Sequence, residues 1–244
     1  MRQGHARSGE AVRSQESGTR PSRRRHWWRW ALGSVLALII LAVAGTGVVV
    51  ELTPVPAPLA LPKNAAAPSG PLDGTWQVAA GSVVGFRVRE TIIGFGNDVT
   101  GRTSDVAGTA ALAGPEVVRA TFRVSLDAIT VGGKTRQPQL VKSLGATAHP
   151  YATITMTQPV SLPAAFSAGA TVTRSAAAEL TLNGITRPVT VTLSARRDGS
   201  AIEAAGSLPV TFSAFGITGP SGLGFLGSLA SDGTAEFLLV LRLR

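Results

Sequence analysis

The chain has 244 residues, no cysteine, and 23 Lys and Arg against 14 Asp and Glu, a formal net charge of +9. The lack of cysteine excludes disulfides and thiolate metal sites. Residues 1–30 hold eight Arg and two Glu, leaving 15 Lys and Arg against 12 Asp and Glu elsewhere, so the basic excess belongs to a tail, which argues against a nucleic-acid partner.

Segment 1–30 reads as a basic cytoplasmic tail. After it comes "ALGSVLALIILAVAGTGVVV", Ala31 to Val50, twenty residues without a charge, matching the roughly 20 residues a helix needs to cross about 30 Å of hydrocarbon. Arg23, Arg24, Arg25 and Arg29 precede it together with Trp27, Trp28 and Trp30, the arginine excess of a cytoplasmic flank and the tryptophans of an interfacial belt. The expectation is a single-pass transmembrane helix over 31–50 in the cell membrane, with the N-terminus cytoplasmic and the C-terminal domain extracytoplasmic. A cleaved signal peptide is the alternative, although its apolar region usually runs only about 7–15 residues. "RRHWW" also loosely matches a twin-arginine export signal, a minor alternative to simple positive-inside charge.

Segment 51–72 places six prolines in 22 residues. Such a composition disfavours helix and sheet and predicts a semi-rigid extended linker, a stalk for the domain beyond it.

From Asp73 to Arg244 the dominant signal has period two. Val84, Phe86 and Val88 alternate with arginines; Val118, Ala120, Phe122, Val124 and Leu126 alternate with polar residues; weaker alternations cover 106–112, 152–156, 170–172 and 202–212, and Phe237 to Leu243 close the chain. Several short strands between Gly, Pro, Asn and Asp turns predict an antiparallel sandwich or barrel. Thr135 to Pro150 lacks the alternation and has room for a turn or two of helix before Gly145. Gly219 to Gly233 is too glycine-rich for a strand, yet holds Leu223, Phe225, Leu226 and Leu229. An apolar loop of this kind is either a plug folded over the barrel end, or a lid or membrane contact.

The sharpest local signal is "ELTLNGITRPVTVTL", Glu179 to Leu193. Asn183-Gly184 predicts a two-residue type I′ hairpin turn, because both residues tolerate positive φ. Leu182 then lies opposite Ile185, and Leu180 opposite Arg187. One face collects Leu180, Leu182, Ile185, Arg187, Val189, Val191 and Leu193, so an arginine stands on the apolar face. Two readings are open: its stem covers apolar surface while the guanidinium reaches the rim and water, or it meets the polar head of a ligand.

No catalytic constellation is visible. His149 is the one histidine beyond the tail, no acid pair has an identifying spacing, and the short glycine patterns at 94–96 and 222–224 do not join a strand to a helix as a phosphate loop must. Neither a metal site nor an enzyme is expected. What remains is a concave, apolar-lined β-interior, the common form of a small-molecule site.

Taken together, "WQVAAGSVVGFRVRE" from Trp76, "ATFRVSLDAIT" from Ala120, "HPYATITM" from His149, "LTLNGITRPVTV" from Leu180 and "TFSAFGI" from Thr211 resemble the YceI-like family over about 170 residues. The resemblance implies an all-β, extended antiparallel lipocalin-like barrel over 73–244, with one short helix, that binds polyisoprenoid lipids. Where the family commonly has Arg-Asp followed by His-Leu, this chain reads Arg136-Gln137-Pro138-Gln139-Leu140, so the acid and the histidine are missing.

Candidate ligand-binding residues are the interior ones: Val84, Phe86 and Val88; Ala120, Phe122 and Val124; Leu180, Leu182, Arg187, Val189 and Val191; and Phe212 and Phe225. The expectation is a membrane-anchored binding protein for an isoprenoid quinone or polyprenyl phosphate, with partners limited to that lipid and the membrane, no cofactor apart from a bound isoprenoid, and an oligomeric state left open, a dimer included. A structural or interaction domain with a filled core is the alternative. Ala110, Ala120 and Ala170, placed on inward faces, favour an interior that its own side chains do not fill.

Overall fold

The computed structural model describes residues 55–92, 95–131, 134–135, 144–217 and 227–244. The tail, the apolar run 31–50, Arg136 to Leu140, Leu223, Phe225 and Leu226 lie outside them. No helix among the described residues is long and apolar enough to cross a membrane.

The described strands are β1 (Gly74–Val78), β2 (Val83–Ile92), β3 (Phe95–Thr103), β4 (Val106–Ala113), β5 (Glu116–Ser125), β6 (Thr130–Val131), β7 (Lys134–Thr135), β8 (Tyr151–Met156), β9 (Val160–Ser161), β10 (Val172–Leu182), β11 (Ile185–Asp198), β12 (Ala201–Thr211) and β13 (Gly227–Leu243). Eight of them close a ring in the order β1-β4-β5-β8-β10-β11-β12-β13, because β13 pairs back onto β1. All the pairs are antiparallel, and each strand of the ring is paired on both sides over at least part of its length. Strand β13 also carries β2, from which β3, β6 and β7 extend the wall. Since β1 and β2 share one side of β13, they form a single long strand interrupted at residues 79–82. Ser82 mends the interruption: Val240 N–H donates to its Oγ at 2.9 Å, and Ala79 N–H donates to the Val240 carbonyl at 2.8 Å.

The hairpin follows the sequence pattern closely. Asn183 and Gly184 have φ of 51° and 73°, Leu182 pairs with Ile185, and Leu180 pairs with Arg187. Elsewhere tertiary context overrides local pattern. A bulge in the β4–β5 ladder sets Leu112 against Val117 and Ala111 against Arg119. Val118 is thereby the extra residue and turns outward, 41% exposed, while Val117 takes the inward position. Strand β10 begins at Val172, which leaves Ala170 exposed in the connection before it. Strand β13 begins at Gly227, inside the glycine-rich stretch read as a loop, with an irregularity in its ladder to β2 between Leu229 and Gly233. Residues 144–148 form a turn; the short helix α1 is Ala164–Ser167, and a 3₁₀ turn covers Phe212–Phe215, where the sequence suggested a strand end.

Residues 55–72 contain no helix or strand, as the prolines dictate, but along this stretch the chain does not stand free of the barrel. Arg87 and Arg102 on the outer wall donate to the carbonyls of Pro56 (2.7 Å) and Ala57. Leu59 N–H donates to Glu236 Oε2 at 2.7 Å, Arg196 Nη2 donates to the Asn64 carbonyl at 2.8 Å, and Arg197 Nη2 donates to the carbonyls of Ser69 (2.5 Å) and Gly70 (2.8 Å). An extended proline-rich backbone has no internal partners for its carbonyls, and arginines supply them, Arg87, Arg102 and Arg196 from outward positions and Arg197 from the inward parity of β11, opposite Ile202. In return the strap buries Arg196, Arg197, Glu203 and Glu236, each under 8% exposed. Buried charge requires compensation: Arg196 pairs with Glu203 (2.8 Å) and Glu236 with Arg87 (3.2 Å), while Arg197 is held by the strap carbonyls alone.

Lys63 is the one trypsin site within residues 55–72. Because cleavage tracks local opening when opening is fast, trypsin should cut there slowly in the native protein. Arg197→Met, which removes charge-assisted bonds worth about 1.5–3 kcal/mol, should speed that cut roughly ten- to a hundredfold. Cleavage of the unaltered protein at the rate of an unstructured peptide would contradict this packing.

Candidate functional site: the barrel lumen

The ring encloses a cavity of about 1010 Å³, at the upper end of the roughly 300–1,000 Å³ usual for ligand sites. Its walls are almost wholly apolar. Among its lining residues the polar side chains belong to Glu90, Thr153, Arg174, Thr234 and Glu236. Thr153, Thr234 and Glu236 occupy outward positions of their strands, and the Glu236 carboxylate is bonded to the strap.

Eight strands make a barrel that side chains can either just fill or leave open for one small guest; residue size decides which. Ala110, Ala120, Ala176, Ala178, Ala195 and Ala204 line the lumen and contribute little volume. The phenylalanines are handled differently. Phe86 pairs across the ladder with Gly101, Phe122 with Gly108 and Phe237 with Gly206. A Cβ on Gly101 would lie 2.7 Å from Phe86 Cζ, and one on Gly206 would lie 2.8 Å from Phe237 Cζ. Each ring therefore lies flat over the bare backbone opposite, lining the wall without occupying the centre. At one end Trp76 and Phe166 are 1% exposed; Trp76 Nε1–H donates to the Leu72 carbonyl at 2.9 Å, so the largest buried side chain is also satisfied.

Of the residues singled out from sequence, Val84, Phe86, Val88, Ala120, Phe122, Val124, Leu180, Leu182, Val191 and Phe212 line the cavity together. Arg187 and Val189 do not. Pairing of β11 with β12 covers only Thr192–Asp198, so the hairpin end runs past the wall. There Val189 packs against neighbouring apolar residues, and exposed Arg187 donates through Nε to the Ala214 carbonyl at 3.2 Å. The arginine thus ties the hairpin to the 3₁₀ turn. Phe225 lies outside the described residues.

Sequence reading missed Arg174. It shares the inward parity of Val172, Ala176, Ala178 and Leu180 along β10 and is the one basic residue lining the lumen among those described. Extending the hairpin's alternation eight residues back from Leu182 would have found it. His149, exposed, lies against the hairpin turn at Gly184. No group of three His, Cys, Asp or Glu suited to a metal occurs among the described residues.

The family model for the YceI-like domain matches residues 76–237. The chain belongs to the YceI-like family. Two solved structures share the fold. A polyisoprenoid binding domain from Saccharophagus degradans, implicated in plant cell wall breakdown, aligns with TM-score 0.56 and 16% identity over 70% of this chain and 99% of its own. BcnA from Burkholderia cenocepacia aligns with TM-score 0.50 and 18% identity over 67% and 98%. Comparison with curated proteins found no match.

The Gly–Phe pairs give this YceI-like barrel a direct test. Gly101→Ala should push the Phe86 ring into the lumen, cost about 1–3 kcal/mol by overpacking, and weaken binding of an apolar fluorescent probe. Adding Phe86→Ala should return probe binding, as measured by titration beside thermal unfolding. Unchanged probe affinity in Gly101→Ala would show that the flat rings do not shape the lumen.

Proposed function

We propose that the barrel is a carrier that shelters the tail of a polyisoprenoid lipid in its lumen, for storage, transport or protection of that lipid, by binding and not by catalysis. The observation that carries this reading is the apolar lumen of about 1010 Å³. Apolar walls around an empty lumen forgo the dispersion contacts that a guest would make with them. Water gains few hydrogen bonds from such walls, whereas each methylene of a guest gains about 0.8 kcal/mol on burial. The same volume weighs against a domain whose core is filled by its own side chains. The polyisoprenoid binding domain with the same fold supports an isoprenoid as the guest.

The carrier is anchored, on this proposal, by a transmembrane helix over 31–50 and works outside the cytoplasm. The uncharged run behind an arginine and tryptophan cluster supports this orientation. Protease added to cells stripped of their wall should digest the barrel and spare the tail; digestion of the tail with a protected barrel reverses the orientation.

If a carbon group occupies about the volume of a water, ~30 Å³, an isoprene unit takes ~150 Å³ and the lumen has room for roughly six or seven. Titration with prenyl alcohols of increasing length should therefore show affinity rising at least about tenfold per unit at first, then levelling near six or seven units, with a negative heat-capacity change. Affinity independent of chain length would sink the proposal.

A further inference from the structure

We propose that the barrel wall opens on a lateral seam between β9 and β10, and that Arg174 in that seam is the seat for a phosphate head whose apolar tail lies in the lumen. The inference rests on the carrier reading above and names the head group that reading leaves open.

The seam follows from the ladder. Strand β10 pairs with β8 only over Ala178–Thr181, and one further bond, from Thr157 N–H to the Ala177 carbonyl at 2.9 Å, ends the contact. Beyond it, the stretch from Val172 to Ala176 has no strand on that side among the described residues, because β9 pairs with β5 instead. Unpaired backbone in a closed sheet needs other partners. Arg174 supplies donors to one carbonyl on each side: Nε donates to the Ser161 carbonyl on β9 at 3.1 Å, and Nη1 donates to the Thr173 carbonyl on β10 at 2.8 Å. One side chain stitches a gap that the ladder leaves open.

A stitch alone would not call for arginine. The guanidinium has five N–H donors and these two bonds use two of them. No carboxylate among the described residues forms an ion pair with it. Glu90, the remaining acid whose side chain holds an inward position at the lumen, is distant. Arg174 lies level with Val84 through Leu193, Gly206 and Phe237, and Glu90 is six residues further along β2, roughly 20 Å at the rise of a strand. A cation at the edge of an apolar chamber, held by neutral carbonyls and with donors to spare, matches the fork geometry by which arginine binds phosphate oxygens. A neutral quinone head would leave that charge without a counter-ion.

The experiment compares geranylgeranyl phosphate with geranylgeraniol, which share a tail, in binding titrations of the full chain and of Arg174→Met, with thermal unfolding as a check on the fold. The phosphate should bind the native protein at least tenfold more tightly than the alcohol. Arg174→Met should remove that preference by weakening phosphate binding at least tenfold more than alcohol binding, and flatten the salt dependence of phosphate binding. Arg174→Gln, which keeps a donor for the Ser161 carbonyl, serves the same comparison if the methionine variant unfolds. Equal binding of the two ligands by the native protein, or an equal loss of both in the variant, overturns the phosphate seat and leaves Arg174 as a stitch. Binding of inorganic phosphate alone, with the same dependence on Arg174, assigns the site to a free anion and overturns it too. If the native protein binds neither prenyl compound, the carrier reading itself fails.

Discussion

Everything in this barrel depends on keeping its centre clear. An eight-stranded ring stands at the size where inward side chains can meet and form an ordinary core, and most bulky apolar residues would close it. The chain avoids closure in two ways. It uses alanine at many inward positions, and it sets its lumen-facing Phe86, Phe122 and Phe237 across from Gly101, Gly108 and Gly206. The rings then supply apolar surface to the wall without supplying volume to the middle. A conventional core and this lumen differ less in composition than in which residue faces each phenylalanine.

Beside the apolar clusters packed at the two ends of the barrel around Phe215 and Trp76, the outer wall contributes to stability. Charged residues stand in the outward positions of β2, β3, β11, β12 and β13, and residues 55–72 lie over several of them. The strap gains partners for a backbone that prolines bar from helix or sheet, and the wall gains carbonyl acceptors for Arg196 and Arg197. Through the strap, Trp76 at one end of the lumen is also tied to Leu72. Outer layer and inner wall are coupled along one continuous piece of chain.

Much of this was legible in the sequence, and the failures have physical reasons. The hairpin could be read to the residue because Asn-Gly fixes a turn and the turn fixes the register. Most of the interior followed from period two. Val118 was misplaced because a bulge shifts parity by one, and no local signal in Glu116 to Ala120 announces it. The strand character of Gly227 to Gly233 was hidden by glycines that suit a close ladder better than a loop. The strap was read as a spacer because proline content reports what the backbone cannot do, whereas its partners lie from Arg87 to Glu236 in the sequence. Arg187 stands out through its place on an apolar face, yet the neighbouring ladder stops short of it; Arg174 carries the same signal eight positions before Leu182, in the part of β10 that precedes the hairpin's own alternation.

The central claim is that the lumen carries an isoprenoid tail, and the most direct measurement is organic extraction of the full chain purified from its native cells, followed by mass spectrometry of the extract. The account predicts a polyprenyl species in near one-to-one ratio with the protein. Repeated recovery of the folded barrel without any such species would contradict it.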